Sequence, residues 1–88
     1  MAPSAIAASG DTLWAAYAEI NTLVKYNANS MREELRIGGS SSPFGNPTAI
    51  FPAGSKLFVC NSETNDIWKI DTTNYKTELY YEFEEPLL

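Results

Sequence analysis

Residues 3–35 align without a gap on residues 47–79, a shift of 44 positions in a chain of 88 residues. Ten of the 33 aligned pairs are identical: Pro3/Pro47, Ala5/Ala49, Ile6/Ile50, Gly10/Gly54, Leu13/Leu57, Glu19/Glu63, Asn21/Asn65, Lys25/Lys69, Glu34/Glu78 and Leu35/Leu79. Chance at average residue frequencies gives about two. Ser4/Thr48, Trp14/Phe58, Ala15/Val59, Leu23/Ile67, Asn27/Asp71 and Arg32/Lys76 are conservative. Two units of one sequence pattern should share one local structure, and each must bury its apolar surface on a neighbour. The spacing divides the chain into residues 1–46, a first unit with its connecting loop, and residues 47–88, a second unit with a C-terminal tail.

Each unit predicts four short strands. In the second, Pro47-Thr48-Ala49-Ile50-Phe51 ends at the turn signal Pro52-Ala53-Gly54-Ser55. Lys56 to Asn61 is strand by its aromatic and β-branched content. The polar turn Ser62-Glu63-Thr64-Asn65-Asp66 follows. A third strand covers residues 67–71, with Ile67 and Lys69 opposite Trp68 and Ile70. A long fourth strand is expected over Tyr75 to Glu84. The first unit predicts strands at 3–8, 12–17, 22–27 and 31–37. Leu13 to Lys25 alone would pass as a helix. Its aligned copy carries Val59, Asn61, Thr64, Asn65, Asp66 and Ile67, which argue against one.

Four short strands every 40–50 residues or so is the pattern of a β-propeller blade. The stretch from Leu57 to Thr72, with Phe58-Val59-Cys60-Asn61 leading through a polar turn to Ile70-Asp71-Thr72, resembles the YVTN-type blade repeat. The first unit is a weaker copy, with Tyr17 in place of Asn61 and Asn27 in place of Asp71. The resemblance implies an all-β chain of two four-stranded blades. It implies no activity, because propellers host many.

Two blades leave two faces uncovered, and rings close with about four to eight. The expectation is a homo-oligomer in which a head-to-tail contact closes the ring, three chains supplying six blades. Leu13 and Leu57 are expected in the core of the second strands.

Composition narrows the function classes. The chain has no histidine and one cysteine, which removes Ser-His-Asp and Cys-His catalytic units, an internal disulfide and a cysteine-rich zinc site. No enzyme activity and no cofactor are expected. Six Lys and Arg against 11 Asp and Glu give a net charge of −5, which does not suit binding to nucleic acid. No apolar run reaches a membrane span, and the N-terminal segment lacks the charge and apolar core of a signal peptide, so cytoplasmic synthesis is expected.

Glu19 and Asn21 in one unit and Glu63 and Asn65 in the other fall in the same turn, and in a ring they would form a circle of carboxylates and amides. Such a circle could hold a cation or sugar hydroxyls. The same residues are also ordinary turn chemistry. Phe44, in the connecting loop, is a candidate for binding or for plugging a gap between blades. Tyr80, Tyr81, Phe83, Leu87 and Leu88 break the repeat on an outer edge and are candidates for contact with a partner. Three readings of function follow: a structural component of a larger assembly such as a virus or phage particle, a small lectin-like carbohydrate binder, or an engineered or fragmentary propeller.

Overall fold

The computed structural model describes residues 2–39 and 44–84. They form eight strands: β1 (Ala5–Ser9), β2 (Thr12–Tyr17), β3 (Thr22–Asn27), β4 (Glu33–Gly38), β5 (Pro47–Ala53), β6 (Lys56–Asn61), β7 (Asp66–Asp71) and β8 (Thr77–Glu82). The order β1-β2-β3-β4 makes one antiparallel sheet and β5-β6-β7-β8 a second. Among the described residues there is no α-helix. One 3-10 turn, Ala18–Ile20, lies where a helix over 13–25 was the competing reading.

The repeat is carried by the backbone as well as the sequence. Left-handed residues recur in pairs 44 apart: Gly10 and Gly54, Asn21 and Asn65, Met31 and Tyr75. Turn hydrogen bonds recur too. The Ala28 N–H donates to Asp11 O and the Thr72 N–H to Ser55 O. The Gly39 N–H donates to Asn21 O and the Phe83 N–H to Asn65 O. The structural repeat thus runs past Leu79, where sequence identity ends.

The strand ends differ from expectation for a local reason. Tyr75, at φ 61°, cannot open an extended strand, so β8 starts at Thr77 rather than at Tyr75, and it ends at Glu82. Met31, at φ 59°, delays β4 to Glu33 in the same way.

The sheets stack through faces of opposite parity. Trp14, Ala16 and Leu23 from the first sheet meet Leu57, Val59 and Ile70 from the second, with Phe44 completing the cluster. Side chains alternate along a strand, so Trp14 and Leu57 occupy opposite faces of their own sheets. This overturns the expectation that Leu13 and Leu57 are equivalent core residues. Leu57 is fully buried between the sheets, whereas Leu13 is only half-buried on the face pointing away. The aligned Trp14 and Phe58 split in reverse: Trp14 is buried and Phe58 half-buried. Cys60, aligned with the buried Ala16, is also half-buried, on the face of the second sheet turned away from the junction.

A bulge separates the fourth strands. In the first sheet the register shifts between Lys25 and Tyr26, leaving Leu35 opposite Lys25. In the second it shifts between Ile67 and Trp68, leaving Leu79 opposite Trp68. Moving the extra residue flips the side chains between the two bulge positions, so the identical Leu35 and Leu79 occupy different faces.

Polar contacts fix how the sheets meet. The Ser4 hydroxyl lies 3.0 Å from Ala16 O and 2.8 Å from Pro47 O, and so joins β1, β2 and β5. The Lys25 ammonium donates to the Tyr75 hydroxyl at 2.9 Å. A Cβ on Gly45 would run into the Thr64 side chain, so the connection needs glycine there.

Candidate functional site

The Glu-x-Asn turns of the two sheets are joined through Gly45 and Asn46. Asn21 and Asn65 take left-handed angles, φ 50° and 59°, which asparagine tolerates better than most residues. The side-chain oxygen of Asn21 accepts the Asn46 N–H at 2.8 Å. Asn46 O accepts the Ser62 N–H at 3.2 Å, and Gly45 O accepts the Glu63 N–H at 3.1 Å. Asn21 therefore clamps the connection from one side while the Ser62-Glu63 backbone clamps it from the other. In the second sheet the Asn65 amide donates to Phe83 O at 2.7 Å.

The carboxylates of Glu19 and Glu63 are both exposed, and neither forms an ion pair among the described residues. An open groove beside Glu19 is lined by Asn21, Arg36 and Gly39. Among the described residues no group of three or more acidic or thiol side chains could hold a metal ion. The structure thus gathers Asn21, the Phe44–Asn46 segment and the Glu63 backbone, and what it builds from them is a joint. Phe44 is buried in the core cluster, in the gap between the sheets.

Of the tail residues, Tyr80 and Tyr81 lie in β8 and are exposed. Tyr80 packs edge-on to Phe58 at 5.0 Å between ring centroids, with the Lys69 ammonium 5.8 Å from its own. Phe83 follows the strand and packs edge-on to Tyr81 at 4.7 Å. Leu87 and Leu88 lie outside the described residues.

The adjacent Glu33 and Glu34 turn to different partners. Glu33 is bridged by Arg36, which holds its carboxyl below the usual range, while Glu34 approaches Lys25. The Cys60 thiol is pushed up by burial, the opposite of activation. No helix among the described residues is long and apolar enough to cross a membrane.

Sequence reasoning did not single out two polar constructions. The Tyr17 and Tyr26 hydroxyls meet at 2.8 Å, on the face of β2 and β3 that carries Val24. The Asn61 amide, fully buried, donates to Asp66 at 3.2 Å, and Thr64 donates to the same oxygen at 2.9 Å. Strand register is the signal for the second, since Asn61 and Asp66 are direct cross-strand partners.

Asp71 anchors the third turn of its sheet, where Asn27 does so in the first. Its carboxylate accepts from Lys56 at 2.8 Å and from the Thr73 hydroxyl at 2.6 Å and N–H at 2.9 Å. The Lys56 contact, then the two Thr73 bonds, hold its carboxyl far below the usual carboxylate range. Because the folded-state pKa is the lower one, this stabilisation is present above the unfolded pKa of about 4 and is lost as pH falls below it. Thermal melts should therefore be flat from about pH 7 to 5 and decline under about pH 4. Asp71→Asn should remove part of that decline, and Glu33, depressed in the same sense by Arg36, accounts for a further part. A variant with an unchanged acid limb would show that the turn does not depend on the Asp71 charge.

No family model matches the chain, and no curated protein matches it significantly.

Proposed function

We propose that this chain is a non-catalytic building block of a β-propeller of the YVTN type. Copies complete the ring, three chains giving six blades, and the ring serves as a structural and interaction component of a larger assembly such as a virus or phage particle. One observation carries the reading. Two equivalent four-stranded sheets stack through opposite faces, and the other face of each carries exposed apolar side chains, Ile6 on the first and Phe51, Tyr80 and Tyr81 on the second. A stack of this kind extends in one direction until it closes or is capped. The side chains gathered at the turns hold the backbone together and include no activated nucleophile. That favours a scaffold over an enzyme.

Sedimentation equilibrium tests the proposal. A discrete species of three times the 9.7 kDa chain mass supports it. A folded, monodisperse species of one chain mass overturns it. Specific retention on a glycan array would put the lectin-like reading in its place.

A further inference from the structure

The internal junction uses one face of each sheet, and the 44-residue repeat gives both open faces a buried counterpart. Ile50 packs against the core from the second sheet. Its counterpart Ile6 is 63% exposed on the open face of the first. Ala7 lies on the junction face of the first sheet, opposite Trp14. Its counterpart Phe51 is 67% exposed on the open face of the second, opposite Phe58. Phe51, Phe58, Tyr80 and Tyr81 make that face an aromatic patch of the kind that marks an interaction surface.

The polar ties of the junction have counterparts too. Thr48 stands where Ser4 stands, and Pro3 where Pro47, the residue whose carbonyl Ser4 reaches. The side-chain oxygen of Asn65 is buried without a hydrogen-bond partner. The equivalent oxygen of Asn21 accepts the backbone N–H of residue 46, whose counterpart is Ala2. Asn65 Oδ1 is one of three such atoms in the second sheet among the described residues, with Asn61 Oδ1 and Trp68 Nε1, and it is the one whose repeat equivalent the internal junction satisfies.

We infer that the open face of the second sheet binds the open face of the first sheet of another copy, head to tail, in the arrangement of the internal junction. The Thr48 hydroxyl then reaches Pro3 O of that copy. The inference rests on the ring proposed above and names the surface that closes it. The contact is heterologous, so each copy offers two different faces.

The test uses Ile6→Arg and Phe51→Arg, one on each open face, in the full chain. Both side chains are exposed in the single chain, so circular dichroism should match the wild type. Ala8→Arg and Tyr81→Arg occupy the same two faces and replace either variant that loses strand signal. Each variant alone should sediment as one chain, at a concentration where the wild type is assembled. An equimolar mixture should form a two-chain species and stop there, since one intact junction is possible and the second would oppose two arginines. An assembled wild type with either variant still assembled overturns the inference and leaves the ring proposal standing. Single-chain variants that do not combine on mixing overturn the head-to-tail arrangement. A wild type of one chain mass overturns the ring itself.

Discussion

Leu57→Ala should unfold a large fraction of the protein, whereas Leu13→Ala should lower its melting temperature by much less in the single chain. The two leucines are identical in the repeat, yet Leu57 is fully buried among Trp14, Val59 and Ile70 while Leu13 faces away from the junction. Removing a fully buried leucine costs the transfer energy of the lost atoms and leaves a cavity, about 2–5 kcal/mol in all. Domains are marginally stable, and one this small has little reserve. The partly exposed Leu13 forfeits less transfer energy and leaves no enclosed void, so about 1 kcal/mol is expected. Denaturant titration of both variants at low protein concentration measures the contrast. Equal losses would show that the buried and open faces are wrongly assigned. In a closed ring a neighbour would cover Leu13, and the gap between the variants should narrow as concentration rises.

The turns were the most legible part of the fold, because their chemistry is local. Gly10, Gly54, Asn21 and Asn65 mark left-handed positions that few other residues fill. Met31 and Tyr75 take the same conformation with side chains that do not advertise it, so the sequence pattern places the start of both fourth strands two residues early. The face of each strand was harder to read. Both faces of these sheets carry apolar residues, so period-two alternation locates the strands without saying which face meets a partner. Repeat identity made this worse, since it suggests that aligned residues share an environment. A two-unit stack denies them that: the end faces differ from the junction faces, so Leu13 and Leu57, or Trp14 and Phe58, must diverge. The bulge hid Leu79 for a related reason, because moving one unpaired residue along β8 leaves the sequence alignment untouched. At the turns, the spacing of Glu19, Asn21, Glu63 and Asn65 was correct. Their work was not legible, because the partner that Asn21 holds lies 25 residues away in the connection.

Phe44 carries the second large effect. The sequence leaves it between two roles, because a phenylalanine set among serine, proline and glycine has no periodicity to place it. The structure puts it in the core, 3% exposed, against residues of both sheets. It reaches that position because the following residues are fixed: Asn46 is held by Asn21, and Gly45 passes too close to Thr64 for any larger residue. Phe44→Ala should therefore cost about 3–5 kcal/mol, comparable to loss of a buried aromatic in any small core. The damage should be specific to the junction. Neither sheet loses a strand, but the contact that makes them one cooperative unit loses its largest non-repeat member. Trp14 sits in the junction core and Trp68 packs against it, so tryptophan fluorescence reports the seam from both sides. The expected result is a red-shifted native spectrum and a broadened denaturant transition, with far-ultraviolet dichroism largely retained in dilute denaturant. Phe44→Leu should recover most of the loss, since volume and apolarity are what the site requires. An alanine variant with native fluorescence and an unchanged midpoint would mean that Phe44 does not hold the sheets together.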